Sequence, residues 1–256
     1  MTVINTNVNS LTAAASLAVN ERNLTTAMER LSTGKRINSS KDDAAGQAIA
    51  SRMTAQIRGL DQAVRNANDG ISMLQTADGA MEEVSNMLQR MRELSVQSQN
   101  ETNGSSDLVA LSLEFIALSA EISRIEADTT WNGQVLFSAG TVAFQVGANT
   151  GDTVSASIEA ISTAGTLSTL AAIDTDIDTV NTARAALGTA INRLTYAANN
   201  ALNVSTNTSV SRSRIVDTDY AKVSAELART QIIQQAATAM LAQANQGAQS
   251  VLALLK

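Results

Sequence analysis

Any chemistry in this chain of 256 residues would have to come from carboxylates, amines or hydroxyls, because it contains no histidine and no cysteine. Their absence removes thiol catalysis, disulfides, thiolate zinc sites, and the commonest general base and metal ligand. One ordered set of carboxylates stands out: Asp174, Asp176 and Asp178 have the alternate spacing that opens a calcium loop. The loop then fails, since its sixth position is Thr179 instead of glycine and its twelfth is Ala185 instead of glutamate. The three acids read instead as charges that complement the positive end of a helix. No glycine-rich phosphate loop, zinc-protease motif or serine-hydrolase elbow is present. The expectation is a chain with no catalytic residues, no cofactor and no metal.

A second charged cluster, Gln89-Arg90-Met91-Arg92-Glu93-Leu94, lies late in a long run of helical pattern. From its residues alone it reads as a solvated surface with local ion pairs, which contribute little. A formal charge of -6 gives no electrostatic reason to bind nucleic acid, which needs clustered Lys and Arg. No run of apolar residues is long enough for a membrane span, so membrane insertion is not expected. The first charge is Glu21, so the opening residues lack the basic start of a cleavable secretory signal. That leaves a cytoplasmic chain, or one exported by a machine that reads something else.

The elements that would position these residues are mostly helices. Proline is absent, which removes the commonest helix breaker, and only 2% of residues are aromatic, so burial must come from Ala, Leu, Ile, Val and Met. Residues 1 to 32 carry an apolar stripe through Ile4, Val8, Leu11, Ala15, Ala18, Leu24, Met28 and Leu31. A polar loop follows to Asp43, where Asp42 or Asp43 could cap the next helix. That helix has apolar residues from Ile49 through Met53, Ile57, Leu60, Ala67, Leu74, Met81 and Leu88 to Leu94 or Ser95, at a mean spacing near that of a left-handed coiled coil. Asn68-Asp69-Gly70 and Asp78-Gly79 look like turns. The stripe keeps its register across both, and a helical glycine costs only ~1 kcal/mol, so one uninterrupted helix is expected.

Asn103-Gly104-Ser105-Ser106-Asp107 breaks the helix, and Leu108, Leu111, Phe115, Leu118, Ile122 and Ile125 form a shorter one that folds back. The period then changes to two. Val142, Phe144 and Val146 alternate with polar residues, 147–152 turn, and Val154, Ala156 and Ile158 alternate again, which predicts a β-hairpin. From about Thr169 a helical pattern returns through Ile173, Ile177, Val180, Leu187, Ile191 and Leu194, and is read as reaching the C-terminus. The expected fold is mainly α. It is a long antiparallel helical coiled-coil rod with a small β-hairpin tip and the N- and C-terminal helices paired at one end.

The terminal stripes carry an energetic implication. Ordering about thirty residues costs ~1–2 kcal/mol each. About nine small apolar side chains return only ~0.8–3 kcal/mol each. One helical partner does not close that gap, so the ends are expected to be disordered in a free monomer and to fold when several copies surround them.

Several segments resemble bacterial flagellin. They are Ile4-Asn5-Thr6-Asn7-Val8-Asn9-Ser10-Leu11, the run from Arg30-Leu31-Ser32-Thr33-Gly34-Lys35-Arg36 to Gly46, Asn66-Ala67-Asn68-Asp69-Gly70-Ile71-Ser72, and Arg90-Met91-Arg92-Glu93-Leu94-Ser95-Val96-Gln97. Toward the end come Ser213-Arg214-Ile215-Val216-Asp217-Thr218-Asp219-Tyr220, Gln234-Gln235-Ala236 and Leu241-Ala242-Gln243-Ala244-Asn245-Gln246. The likeness spans roughly 1–140 and 172–256. It implies an inner terminal domain made of 1–42 and 217–256, a helical rod domain made of 43–140 and 172–216, and a short β-rich variable region at 141–171.

The same resemblance implies a structural subunit that polymerises with itself into the bacterial flagellar filament for swimming motility, and that is not an enzyme. Such a chain would be exported through the flagellar type III channel without a cleavable signal peptide, and would work outside the cell beside flagellar cap and junction proteins. An export chaperone would cover the C-terminal segment, with Ile232, Ile233, Leu241, Val251, Leu252 and Leu255 as contacts that later enter the filament core. Recognition by the animal Toll-like flagellin receptor would fall on Arg90, Leu94 and Glu114, with Gln89 and Arg92 beside them. Two alternatives are a hook–filament junction protein, which shares the Ser-Thr-Gly-Lys and Arg-Glu-Leu regions, and a non-polymerising secreted coiled-coil binding protein.

Overall fold

The computed structural model describes residues 6–138, 140–160 and 165–253, with side chains described up to 246. Among the described residues there are five helices: α1 (Val8–Thr33), α2 (Ala44–Ser98), α3 (Ser105–Asp128), α4 (Leu170–Val216) and α5 (Tyr220–Ala253). Two small antiparallel ribbons lie between α3 and α4. These are β1 (Thr130–Trp131) with β2 (Gln134–Val135), and β3 (Gly140–Gln145) with β4 (Thr153–Ile158). The chain divides into two compact units, one made of 1–54 and 208–256 and the other of 55–207.

The 55-residue α2 runs straight through both turn-like dipeptides. Asp43, not Asp42, caps it, its Oδ1 accepting from the Gly46 N–H at 2.8 Å. Gly70 is more than a tolerated weakness, because a Cβ there would lie 2.8 Å from Cδ1 of Phe144. The missing side chain lets the β3 aromatic rest on the helix backbone. The expected small hairpin is thus laid along α2, with Asn66 Nδ2 donating to the Gln145 carbonyl at 3.2 Å and Gly59 beneath Ala148. The β3–β4 hairpin, which lies in the segment expected as a variable region, therefore supplies part of the core of this unit.

In the 55–207 unit the core is continuous. Leu74, Ala77, Met81, Val84, Leu88, Leu94 and Ser95 from α2 are wholly buried with Ile122 from α3, Ile158 from β4 and Ile173, Leu187 and Leu194 from α4. The period-two reading of β4 holds residue by residue, since Val154, Ala156 and Ile158 are buried and Thr153, Ser155 and Ser157 are exposed. Helices α2 and α4 run antiparallel here, as shown by Arg92–Asp174 at 2.6 Å, Arg184–Asp78 at 2.9 Å and Ser205 Oγ donating to Asp61 at 2.9 Å.

Two features differ from the sequence reading. The C-terminal helical pattern is broken at Asp217–Asp219, where α4 ends and α5 begins. Asp219 Oδ1 accepts from the Ala221 and Lys222 N–H groups and so caps a new helix. A second ribbon that the alternation did not predict precedes the hairpin: Asn132 and Gly133 both have positive φ, 50° and 79°, and close β1 onto β2.

Candidate assembly and recognition surfaces

In the unit formed by 1–54 and 208–256, α1 and α5 pack antiparallel. Asn20 Nδ2 donates to the Thr230 carbonyl at 2.8 Å, and Asn7 Nδ2 donates to the Ala244 carbonyl at 3.0 Å. The seam is narrow and made of small side chains, with Asn20, Ala27 and Thr230 buried. Much of the apolar stripe remains outside. Val8, Leu11, Val19 and Met28 on α1 are each about half exposed, and on α5 Ile232 is 67% and Met240 65% exposed. Ile233 is 38% exposed and Leu241 is half-buried. The side chains of Val251 and Leu252, and the whole of Leu255, lie outside the described residues.

The loop between α1 and α2 is held to the α4–α5 break by backbone pairing. Gly34, at φ 70°, ends α1, and its carbonyl accepts from the Thr218 N–H at 3.0 Å. Lys35 and Asp217 form an antiparallel bridge, the Arg36 N–H donates to the Val216 carbonyl, and the Arg36 guanidinium donates to the Ile215 carbonyl. A Cβ on Gly34 would also meet the Tyr220 hydroxyl at 2.8 Å. Inside the loop, Asp42 accepts from the Asn38 and Ser39 N–H groups at 3.1 and 3.0 Å. Those backbone hydrogen bonds, Ser39 first, hold its carboxyl below the ordinary Asp range. The Ser-Thr-Gly-Lys-Arg segment is legible as a loop, but nothing local in it announces its partner strand.

In the 55–207 unit, Arg90 joins two helices. Its guanidinium lies 2.9 Å from Glu93 on α2 and 2.9 Å from Glu114 on α3, with Arg90 and Glu114 roughly half exposed and Glu93 more so. Hydrogen bonds to Glu93 and then Glu114 raise its pKa further. Gln89 and Arg92 are also exposed, and Arg92 holds Asp174. Leu94 departs from this surface. It is 0% exposed, because its helical spacing from Leu88 and Met91 turns it into the core. The face beside Glu114 is apolar: Val109, Leu113 and Ile116 on α3 are about 60% exposed or more.

Asp174, Asp176 and Asp178 lie inside α4, where residues two apart point to different sides of the helix. Asp174 is already bound to Arg92. The helix begins at Leu170, so the three acids fall a turn later than dipole complementation at the N-terminus requires, which corrects that reading.

These surfaces can be set beside known proteins. Residues 4–143 match the bacterial flagellin N-terminal helical region, and residues 170–255 match the bacterial flagellin C-terminal helical region. A flagellin from Halalkalibacterium halodurans is 46% identical across 99% of this chain and 100% of its own length. Flagellin A from Vibrio cholerae is 32% identical over 99% of each chain. The crystal structure of Bacillus cereus flagellin matches with a TM-score of 0.50 and 31% identity, covering 54% of this chain and 88% of that one.

Proposed function

The chain belongs to the bacterial flagellin family, and from that premise we propose how it acts as a structural subunit of the flagellar filament in swimming motility. The observation that carries the proposal is the unfinished burial of the terminal pair. Val8, Leu11, Val19, Met28, Ile232 and Met240 remain exposed on two helices that already pack against each other. Covering a Val, Leu, Ile or Met side chain contributes about 1.5–3 kcal/mol. Because each is already a third to a half covered, completing the burial of all six would return roughly 5–10 kcal/mol, on the order of the cost of association when neighbouring copies supply the cover. Contacts between non-identical patches do not close, so they extend into a helical polymer.

Within this reading, 1–42 and 217–256 form the inner terminal domain, and 43–140 with 172–216 form the rod. The exposed faces of Ile232 and Ile233, with Leu241, Val251, Leu252 and Leu255, meet an export chaperone before they enter the filament core. Export proceeds through the flagellar type III channel, and the subunit works outside the cell beside cap and junction proteins. The Arg90–Glu114 pair with Gln89 and Arg92 is the surface offered to a Toll-like flagellin receptor, with buried Leu94 supporting it from beneath.

The test is seeded assembly of the purified chain, followed by sedimentation and negative-stain electron microscopy. The full chain is expected to pellet as long helical filaments. Removing either the first or the last thirty residues should abolish this while far-UV circular dichroism still reports a helical 55–207 unit. Normal filaments from either truncation would sink the terminal-core reading.

A further inference from the structure

The formal charge of -6 is divided very unevenly between the two compact units. Residues 1–54 and 208–256 hold eleven Lys and Arg against seven Asp and Glu, a net of +4. Residues 55–207 hold seven against seventeen, a net of -10. All four lysines are in the first group.

Pairing within each unit sharpens the division. Lys35, Arg36, Lys41, Arg52, Arg214 and Lys222 are exposed around the loop that joins the α1 end to the α4–α5 break, and among the described residues none lies within ion-pair distance of a carboxylate. The acids nearby use their oxygens elsewhere. Asp42 and Asp219 accept from backbone N–H groups, Asp43 caps α2, and Asp217 accepts from the Ser213 hydroxyl. In the other unit acids are the surplus. Four of its seven arginines, Arg90, Arg92, Arg124 and Arg184, are bound to carboxylates, Arg58, Arg65 and Arg193 are exposed without one among the described residues, and Asp69, Glu83, Glu101, Glu159 and Asp178 stay exposed as excess negative charge.

We propose that this collar of unpaired cations in the terminal unit docks on the acidic surface of the 55–207 unit of a second copy of the chain, and that the attraction steers and registers subunit addition. The inference rests on the filament reading above and specifies which surfaces meet. The partner is a second copy because the same chain carries the complementary surplus. A contact between two different patches is also the kind that propagates without closing. Opposite potentials of this kind mainly raise the association rate and fix register, and they weaken with ionic strength.

The experiment measures seeded elongation by light scattering as NaCl rises from about 20 to about 500 mM, a range across which the Debye length falls to a few ångströms. Sodium chloride is chosen over sulfate so that screening is not confused with strengthened apolar burial. Wild-type elongation should slow about tenfold over that range. At low salt K35E/K41E/K222E should elongate about tenfold more slowly than wild type, with a flattened salt dependence, and K35Q/K41Q/K222Q should fall between them. Circular dichroism confirms that each is folded. Adding D69K/E83K/D178K to the glutamate variant inverts both surfaces and should restore elongation.

Wild-type filaments whose growth ignores NaCl would overturn this inference alone, whereas a wild-type chain that forms no filament would defeat the filament reading itself. Folded lysine variants that elongate at the wild-type rate, or no rescue by the double inversion, would also overturn it. So would unchanged elongation accompanied by weakened adsorption to anionic phospholipid vesicles, which would make a lipid surface the collar's partner.

Discussion

Replacing Gly70 with alanine tests whether the β3–β4 hairpin is held by a ring resting on bare helix backbone. At an open helical position the substitution removes glycine's propensity cost and stabilises by about 0.8–1 kcal/mol. At Gly70 the new Cβ would sit 2.8 Å from Cδ1 of Phe144 and 3.0 Å from Cε1 and Cγ, so the ring must retreat. Retreat is resisted because Phe144 pairs in register with Val154 on β4, and β4 is anchored by buried Ala156 and Ile158. Overpacking of this kind costs about 1–3 kcal/mol. The two effects together place Gly70→Ala between neutral and about 2 kcal/mol destabilising.

Two internal controls separate the effects. Gly79 and Gly188 are also helical, but a Cβ at either meets nothing within 4 Å. Both alanine variants should be stabilised by about 1 kcal/mol. The assay is urea unfolding of the monomer by circular dichroism, compared by midpoint at a common slope. In a Phe144→Ala background the Gly70→Ala penalty should disappear, which makes the coupling a measured quantity. If Gly70→Ala raises the midpoint as much as Gly79→Ala does, the ring-on-backbone contact is not what holds the hairpin.

Two further outcomes follow from single side chains. Leu94→Ala should destabilise the monomer by about 2–5 kcal/mol, since it deletes a wholly buried side chain, whereas Arg90→Ala should melt close to wild type; thermal melts followed by receptor-binding assays on the folded variants would distinguish lost contact from lost fold. Asp42 titrates below its ordinary value of 3.8, so its contribution to stability is whole above that value and is lost as pH falls through the lowered one. Carboxyl-resolved NMR should place its midpoint below 3.8, and Asp42→Asn should flatten the acid limb of a stability curve; an ordinary midpoint would refute the role of the Asn38 and Ser39 N–H groups.

Periodic elements were the readable ones. The stripe from Ile57 to Leu94 states the α2 face directly, and the alternation at Val154, Ala156 and Ile158 states the β4 face, because each pattern reports which side loses water. Devices that act through one or two residues were harder to read. The α4–α5 break was hidden because apolar residues continue on both sides, although Asp219 just before a helical run is a recognisable cap. The Asn132-Gly133 ribbon carried the commonest hairpin dipeptide but had only two residues of strand on each side to confirm it. In the charged cluster the apolar stripe already claimed Leu94, whereas the resemblance grouped it with Arg90 as one recognition surface. Four residues of helix separate a half-exposed guanidinium from a fully buried side chain. The strap between Gly34 and Thr218 was beyond local reading, because it pairs backbones more than 180 residues apart.

The two compact units show what an apolar stripe does and does not determine. In 55–207 the stripe of α2 meets α3, α4 and the β3–β4 hairpin, and its members from Leu74 to Leu94 reach complete burial. In the other unit the stripes of α1 and α5 are of the same helical kind, yet their shared seam is built on Asn20, Ala27 and Thr230, and Leu11 and Met240 stay largely in water. Periodicity determines which face is apolar, whereas the number of elements within reach determines whether that face is satisfied inside one molecule. A third or fourth helix for α1 and α5 must therefore come from another molecule. The terminal unit is the place where folding and assembly become one process, and stability measured there should depend on protein concentration while stability of the 55–207 unit should not.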